Sequence, residues 1–199
     1  MINCDIVNVP NLLTVARIFL TPLFLAMLFA EAWYLRSMAC IVFVLASITD
    51  FFDGRMARSS NRVTEFGRFM DPLADKILVT SAMIALALGR IVHFWLVLPI
   101  VVRDIIITAM RVYGIYRGCP MKTSRLAKWK TFAQLFSVVI ILFGIGLQEL
   151  FHRFEWELLL PLQGTLLSNL SNGLMTAVLL LTIASGFHYF FKTGHQFRS

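Results

Sequence analysis

Six long apolar blocks, separated by short charged segments, leave this chain very few ways to fold. They fall approximately at residues 11–29, 38–52, 72–88, 94–116, 128–149 and 172–191. A helix that crosses a bilayer needs roughly 17–25 residues. The bilayer core offers no water to backbone amides, so such segments must satisfy their own hydrogen bonds as helices. The expected fold is all-α, a polytopic membrane helical bundle with six transmembrane helices and a single domain over residues 1–199. Composition points the same way. Hydrophobic residues make up 58% and charged residues 15%, with a mean hydropathy of +0.77, whereas a soluble domain carries about a quarter charged residues. The second and third blocks are short on apolar residues alone, because each ends in the charged segment between them. Residues 149–171, with Glu155, Trp156 and Glu157, read as an interfacial or re-entrant piece.

The net charge of +7 raises nucleic acid, a membrane surface or acidic ligands as partners. No nucleic-acid recognition module or aromatic-basic stripe is present, which excludes the first. The cations are segregated. Arg55, Arg58, Arg62, Arg68 and Lys76 join the second and third blocks, and Arg117, Lys122, Arg125, Lys128 and Lys130 join the fourth and fifth. Lys192 and Arg198 fall on the same side, against only Arg36, Arg90 and Arg153 opposite. Basic loops stay cytoplasmic, so both termini and both basic segments are expected there. The residues ahead of Asn11 include Asp5 and no Lys or Arg, unlike a secretory leader, so the N-terminus is expected to be retained. Cys4, Cys40 and Cys119 have no ligand-like spacing and read as reduced thiols.

The chemistry lies at two facing helix ends. Asp50 and Asp53 close the second block, while Asp71 and Asp75 open the third. A carboxylate at membrane depth is costly and needs a partner. Spaced three and four residues apart, each pair shares a helix face. Two such pairs brought together form an all-oxygen site suited to Mg²⁺ or Mn²⁺; without a cation they would repel or take up protons. Gly54 and Gly67 leave room for a bulky ligand or a neighbouring helix. Ala57 continues that small surface, and Arg58 offers a planar cation to phosphate oxygens.

The string Asp53-Gly54-x2-Ala57-Arg58-x8-Gly67-x3-Asp71-x3-Asp75, with Asp50 three residues ahead, resembles the signature of the CDP-alcohol phosphotransferase family at every fixed position. The resemblance implies a six-helix membrane fold, usually a homodimer. It implies that Asp50, Asp53 and Asp71 ligate one or two Mg²⁺ or Mn²⁺ ions, and that Asp75 is the general base and also touches metal. Gly54, Ala57, Arg58 and Gly67, with Asp53, would line the pocket for the cytidine diphosphate of CDP-diacylglycerol. The implied reaction moves a phosphatidyl group to an alcohol and releases CMP.

Further charges bear on the acceptor. Arg103, Asp104 and Arg111 interrupt the fourth block, and Lys128, Lys130, Thr131 and Gln134 open the fifth. A basic cluster near a carboxylate site suits a phosphorylated acceptor; the alternative is a buried ion pair with snorkelling lysines, and the two are compatible. The segments Asn11-Leu-Leu-Thr14-x2-Arg17, Asp71-Pro-Leu-Ala-Asp-Lys76-Ile, Arg103 to Arg111 and Lys128-x-Lys130-Thr131-x2-Gln134 are similar to the bacterial branch of the family whose acceptor is sn-glycerol 3-phosphate. That implies a bacterial inner (plasma) membrane. It also places the acceptor phosphate on Arg103, Arg111, Lys128 and Lys130, and closes the nucleotide side with Asn11, Thr14 and Arg17. Asp104 departs from that branch, where Glu is more usual. Phosphatidylglycerol or inositol phosphate as acceptor would keep the same chemistry. A divalent-cation transporter is the reading from another class, but its usual inverted repeats are not visible. His93, His152, His188 and His195 are scattered, and Gly144-x-Gly146 reads as a close helix contact.

Overall fold

The structure is a computed structural model that describes residues 9–59, 65–116, 125–154 and 160–196. Its side chains are described over 19–48, 76–110, 112–114, 116, 126–154 and 164–187. Six helices account for nearly all of it: α1 Val9–Leu28, α2 Trp33–Ser59, α3 Glu65–Leu88, α4 Phe94–Tyr116, α5 Arg125–Arg153 and α6 Leu160–Gln196. No strand occurs among the described residues.

The helix count matches the apolar blocks, and the boundaries differ in an informative way. The fourth block and α4 coincide. By contrast α2 runs on to Ser59 and α3 begins at Glu65, so the aspartate stretches continue the helices rather than forming a loop. Pro72, the eighth residue of α3, lies past the first turn, so α3 continues through it at the cost of one backbone hydrogen bond. The expected interfacial or re-entrant piece is divided: α5 extends to Arg153 and α6 already begins at Leu160. Trp156 and its acidic neighbours, residues 155–159, lie outside the described residues.

The main packing pairs close a ring in the order α1, α2, α5, α6, α4, α3, with α3 also reaching α5 across it. Phe24, Phe43, Met83, Leu86, Ile100, Ile141 and Met175 fill the middle and are fully buried. Phe24 and Phe43 pack as tilted rings with centroids 5.3 Å apart. The outward faces are also apolar: Leu45, Ile105, Phe132, Phe143, Leu180 and Phe187 are exposed. Helices apolar on both faces belong in lipid. Among the described residues, Leu126–Arg153 and Gly164–Phe187 are long and apolar enough to cross a membrane by length and composition. Phe19–Leu28, Trp33–Ile48 and Lys76–Leu88 are shorter apolar runs. The fold is an integral membrane helical bundle.

Small residues and polar contacts set which helices touch. A Cβ on Gly144 would stand 2.5 Å from Leu167 Cδ1 of α6, and one on Gly146 would stand 3.5 Å from Ser37 Cα of α2. Two residues apart, the glycines serve opposite faces of α5, as the close-contact reading of Gly144-x-Gly146 expects. Beside them Arg36 Nη1 donates to Glu149 Oε1 at 2.7 Å, fixing the start of α2 to the end of α5. The His93 amide donates to Asn172 Oδ1 at 2.9 Å, tying the start of α4 to α6.

Candidate functional site

These contacts fix the sense of the bundle. α2 and α5 run antiparallel, so the C-terminal end of α2 and the N-terminal end of α5 share one end of the ring. Chain order brings there the starts of α1 and α3 and the finishes of α4 and α6. That end carries the residues expected to act, except Arg103, which lies deeper, near the middle of α4. Asn11, Thr14 and Arg17 lie on α1, and Asp50, Asp53, Gly54, Ala57 and Arg58 on α2. Gly67, Asp71 and Asp75 lie on α3, Arg111 on α4, and Lys128 and Lys130 on α5. Of these, Lys128 and Lys130 have described side chains; the side chains of the others lie outside the described residues. The helical backbone gives Asp50 and Asp53, and Asp71 and Asp75, spacings of one turn each.

Just inside this end lies a polar node that joins four helices. Lys130 on α5 is fully buried, and its amine donates to both oxygens of Asp104 at 2.5 Å and to Gln134 Oε1 at 2.6 Å. Asp104 on α4, 2% exposed, also accepts from Arg103 Nη1 at 3.1 Å. Lys76 Nζ on α3 stands 3.5 Å from the second Asp104 oxygen. Arg103 Nη2 donates to Ser185 Oγ on α6 at 2.8 Å, and that hydroxyl donates to the Thr182 carbonyl at 3.1 Å. Gln134 Nε2 reaches Met83 Sδ at 2.9 Å, back on α3. The buried ion pair is therefore present, and it includes two of the four residues read as acceptor ligands. Lys128 is exposed on the first turn of α5.

Asp104 meets three cations, and among the described residues no second carboxylate stands with them. Counted over the described groups the node holds three cations to one carboxylate, and such an excess in a region of low dielectric favours an anion. Arg103 also lines an apolar groove of about 500 Å³ between α4 and α6, with Pro99, Leu179, Thr182, Ile183, Gly186 and Phe187. Sequence reasoning alone assigns Lys76, Ser185 and Met83 to no site. The four-residue spacing of Lys130 and Gln134 is the visible sign that they share a face; the sulfur and hydroxyl partners on α3 and α6 leave no comparable mark.

Comparison with known proteins identifies the family. The family model for CDP-alcohol phosphatidyltransferase matches residues 7–184, which contain all of the expected site. A Rickettsia typhi protein named CDP-diacylglycerol–glycerol-3-phosphate 3-phosphatidyltransferase is 40% identical over 137 residues, covering 69% of this chain and 77% of that protein. A Bacillus subtilis protein of the same name is 33% identical over 205 aligned positions, covering 96% of this chain and 98% of its own length. A Mycobacterium tuberculosis protein named as a probable phosphatidylglycerophosphate synthase is 36% identical over 187 residues, with 92% and 80% covered.

Proposed function

This chain belongs to the CDP-alcohol phosphatidyltransferase family, and we infer that it transfers a phosphatidyl group from CDP-diacylglycerol to sn-glycerol 3-phosphate, giving phosphatidylglycerol phosphate and CMP. Relatives named for that reaction match it over most of their own length and most of this chain. The observation that carries the acceptor is the cationic node at the aspartate end of the bundle, built from Lys76, Arg103 and Lys130 around Asp104. An uncharged alcohol would have no use for it.

The donor set suits a hard cation. Four carboxylates at one-turn spacings on two helices, Asp50 and Asp53 with Asp71 and Asp75, supply only oxygen ligands. One or two Mg²⁺ or Mn²⁺ ions held there would neutralise the diphosphate and the departing CMP. The remaining work falls to side chains. Arg58 faces phosphate oxygens with a planar fork, and Gly54, Ala57 and Gly67 leave space for the nucleotide beside Asn11, Thr14 and Arg17. Arg103, Arg111, Lys128 and Lys130 form the basic surround of the acceptor phosphate. Asp75 takes the proton from the glycerol hydroxyl as its oxygen bonds to the phosphorus that carries diacylglycerol. The bond from that phosphorus to CMP breaks, and CMP leaves with the electron pair.

A site at a basic helix end keeps lipid tails in the bilayer while the nucleotide and acceptor arrive from water. By the distribution of Lys and Arg that side is cytoplasmic, in a bacterial inner membrane. The homodimer is carried forward from the family resemblance, and cross-linking in membranes tests it. The reaction is tested by CMP release from purified protein in detergent with CDP-diacylglycerol and Mg²⁺ or Mn²⁺. The acceptors are glycerol 3-phosphate, phosphatidylglycerol, inositol phosphate and serine. Release with glycerol 3-phosphate alone is expected; release with another acceptor only would overturn the acceptor assignment.

A further inference from the structure

We propose that Lys76 binds the phosphate of the acceptor directly, and that Lys130 serves this site through Asp104 rather than by contact. The inference rests on the acceptor reading above and divides the labour within it.

An ammonium group has three N–H donors. Those of Lys130 meet three acceptors: the two oxygens of Asp104 at 2.5 Å and Gln134 Oε1 at 2.6 Å. Its side chain is 0% exposed, so a phosphate reaching it would have to break the node open. Arg103 commits Nη1 to Asp104 and Nη2 to Ser185, which fixes its guanidinium against α6, while its Nε is buried without a partner among the described groups. Lys76 differs from Lys130 on both counts. Its side chain is 28% exposed, and its one described partner is an Asp104 oxygen at 3.5 Å, beyond a normal hydrogen bond. It is drawn to the carboxylate by charge, and no described group takes its donors in a hydrogen bond of normal length.

Position supports the same assignment. Lys76 follows Asp75 along α3. Glycerol 3-phosphate carries its phosphate and its reacting hydroxyl at opposite ends of three carbons, so the phosphate cation and the base must stand close together. Lys76 springs from the helix that carries the base and reaches Asp104 from its open side, whereas the Lys130 amine on α5 is enclosed by its three acceptors. Asp104 is then the tether. Held by Lys130 and Arg103, it keeps the Lys76 amine from ranging over the long, flexible lysine stem.

The test is steady-state CMP release with both substrates varied, after the wild-type protein has been run with the acceptor panel. Lys76→Gln should raise the KM for glycerol 3-phosphate at least tenfold and leave the KM for CDP-diacylglycerol within twofold, with Lys76→Arg recovering most of the loss. The double variant Asp104→Leu with Lys130→Met removes the central ion pair as a unit, and should raise the acceptor KM in the same selective way. In wild-type protein, glycerol 3-phosphate should shield Lys76 from acylation by an amine-reactive ester, read by peptide mass, whereas glycerol should not; this arm needs no variant to fold. An unchanged acceptor KM in folded Lys76→Gln, or acylation of Lys76 that glycerol 3-phosphate leaves unaffected, would overturn the contact. An unchanged acceptor KM in the double variant would overturn the tether. Wild-type protein that ignores glycerol 3-phosphate would instead sink the reading beneath it.

Discussion

Individual residues divide into those whose chemistry is visible in one dimension and those whose partners are not. Asp50, Asp53, Asp71 and Asp75 stand out because carboxylates at the ends of apolar helices demand a reason. Their roles make separable predictions. Asp75→Asn should lower turnover by about a thousandfold or more, at the upper part of what a positioned base contributes, while CDP-diacylglycerol still binds. Asp53→Asn should weaken metal and nucleotide binding together, so that raising Mg²⁺ partly restores activity. Equilibrium binding of a radiolabelled CDP-lipid beside CMP release checks both, and normal turnover in Asp75→Asn would remove it as the base. A chelator should abolish release from wild-type protein, and added Mg²⁺ or Mn²⁺ should return it. Lys76 is legible in the sequence as a cytoplasmic charge inside a segment similar to the glycerol-phosphate branch, but with no role, since its meaning depends on Asp104, 28 residues away on another helix. Ser185 is equally silent. A lone hydroxyl in an apolar helix usually bonds its own backbone, as Thr182 does to the Val178 carbonyl at 2.6 Å.

At the scale of the helix, existence is plain from the apolar blocks, and termini are less so. Hydrophobicity marks where a helix meets lipid and says little about where its hydrogen bonds stop, which is why α2 and α3 overrun their blocks into the aspartate stretches. The end of α3 shows the local rules at work. The Ile91 amide donates to the Leu86 carbonyl at 3.1 Å and the Arg90 amide to the Ala87 carbonyl at 3.1 Å, the paired bonds of a Schellman cap. The position that glycine usually fills belongs to Arg90, at φ 58°. Arg90→Gly should therefore stabilise the protein by about 0.5–1 kcal/mol, seen as a small rise in the thermal midpoint in detergent; a fall would mean that the arginine side chain is needed there. The two α5 glycines should respond unequally. Gly146 lies against backbone of α2, so Gly146→Leu has nowhere to go and should cost about 1–3 kcal/mol. Gly144→Ala meets only the flexible tip of Leu167, which can turn aside, and should cost less than about 1 kcal/mol.

For the whole molecule, helix number and function class are readable from the chain, while the order of helices around the ring is not. Hydropathy is blind to neighbours in a bilayer, because lipid tails are as apolar as another helix; pairing is decided by glycines and isolated polar contacts. Gly146 with Ser37, Arg36 with Glu149 and Lys130 with Asp104 are single contacts whose partners lie far apart in sequence. Orientation, by contrast, follows from counting. The aspartate end carries both basic connections, and the opposite end has only Arg36, Arg90 and Arg153. The translocation machinery reads that asymmetry, so the aspartate end should face the cytoplasm. In a background with Cys4, Cys40 and Cys119 replaced by serine, cysteines introduced at Lys122 and Glu31 report the two ends. Lys122 lies in one basic connection, and Glu31 is exposed in the turn between α1 and α2. A membrane-impermeant maleimide added to intact spheroplasts should label Glu31→Cys and spare Lys122→Cys, and inverted vesicles should reverse the pattern. The opposite result would put the basic end outside. It would also separate the aspartates from the cytoplasmic nucleotide lipid and glycerol phosphate that the proposed reaction needs, so that one labelling pattern bears on fold orientation and function together.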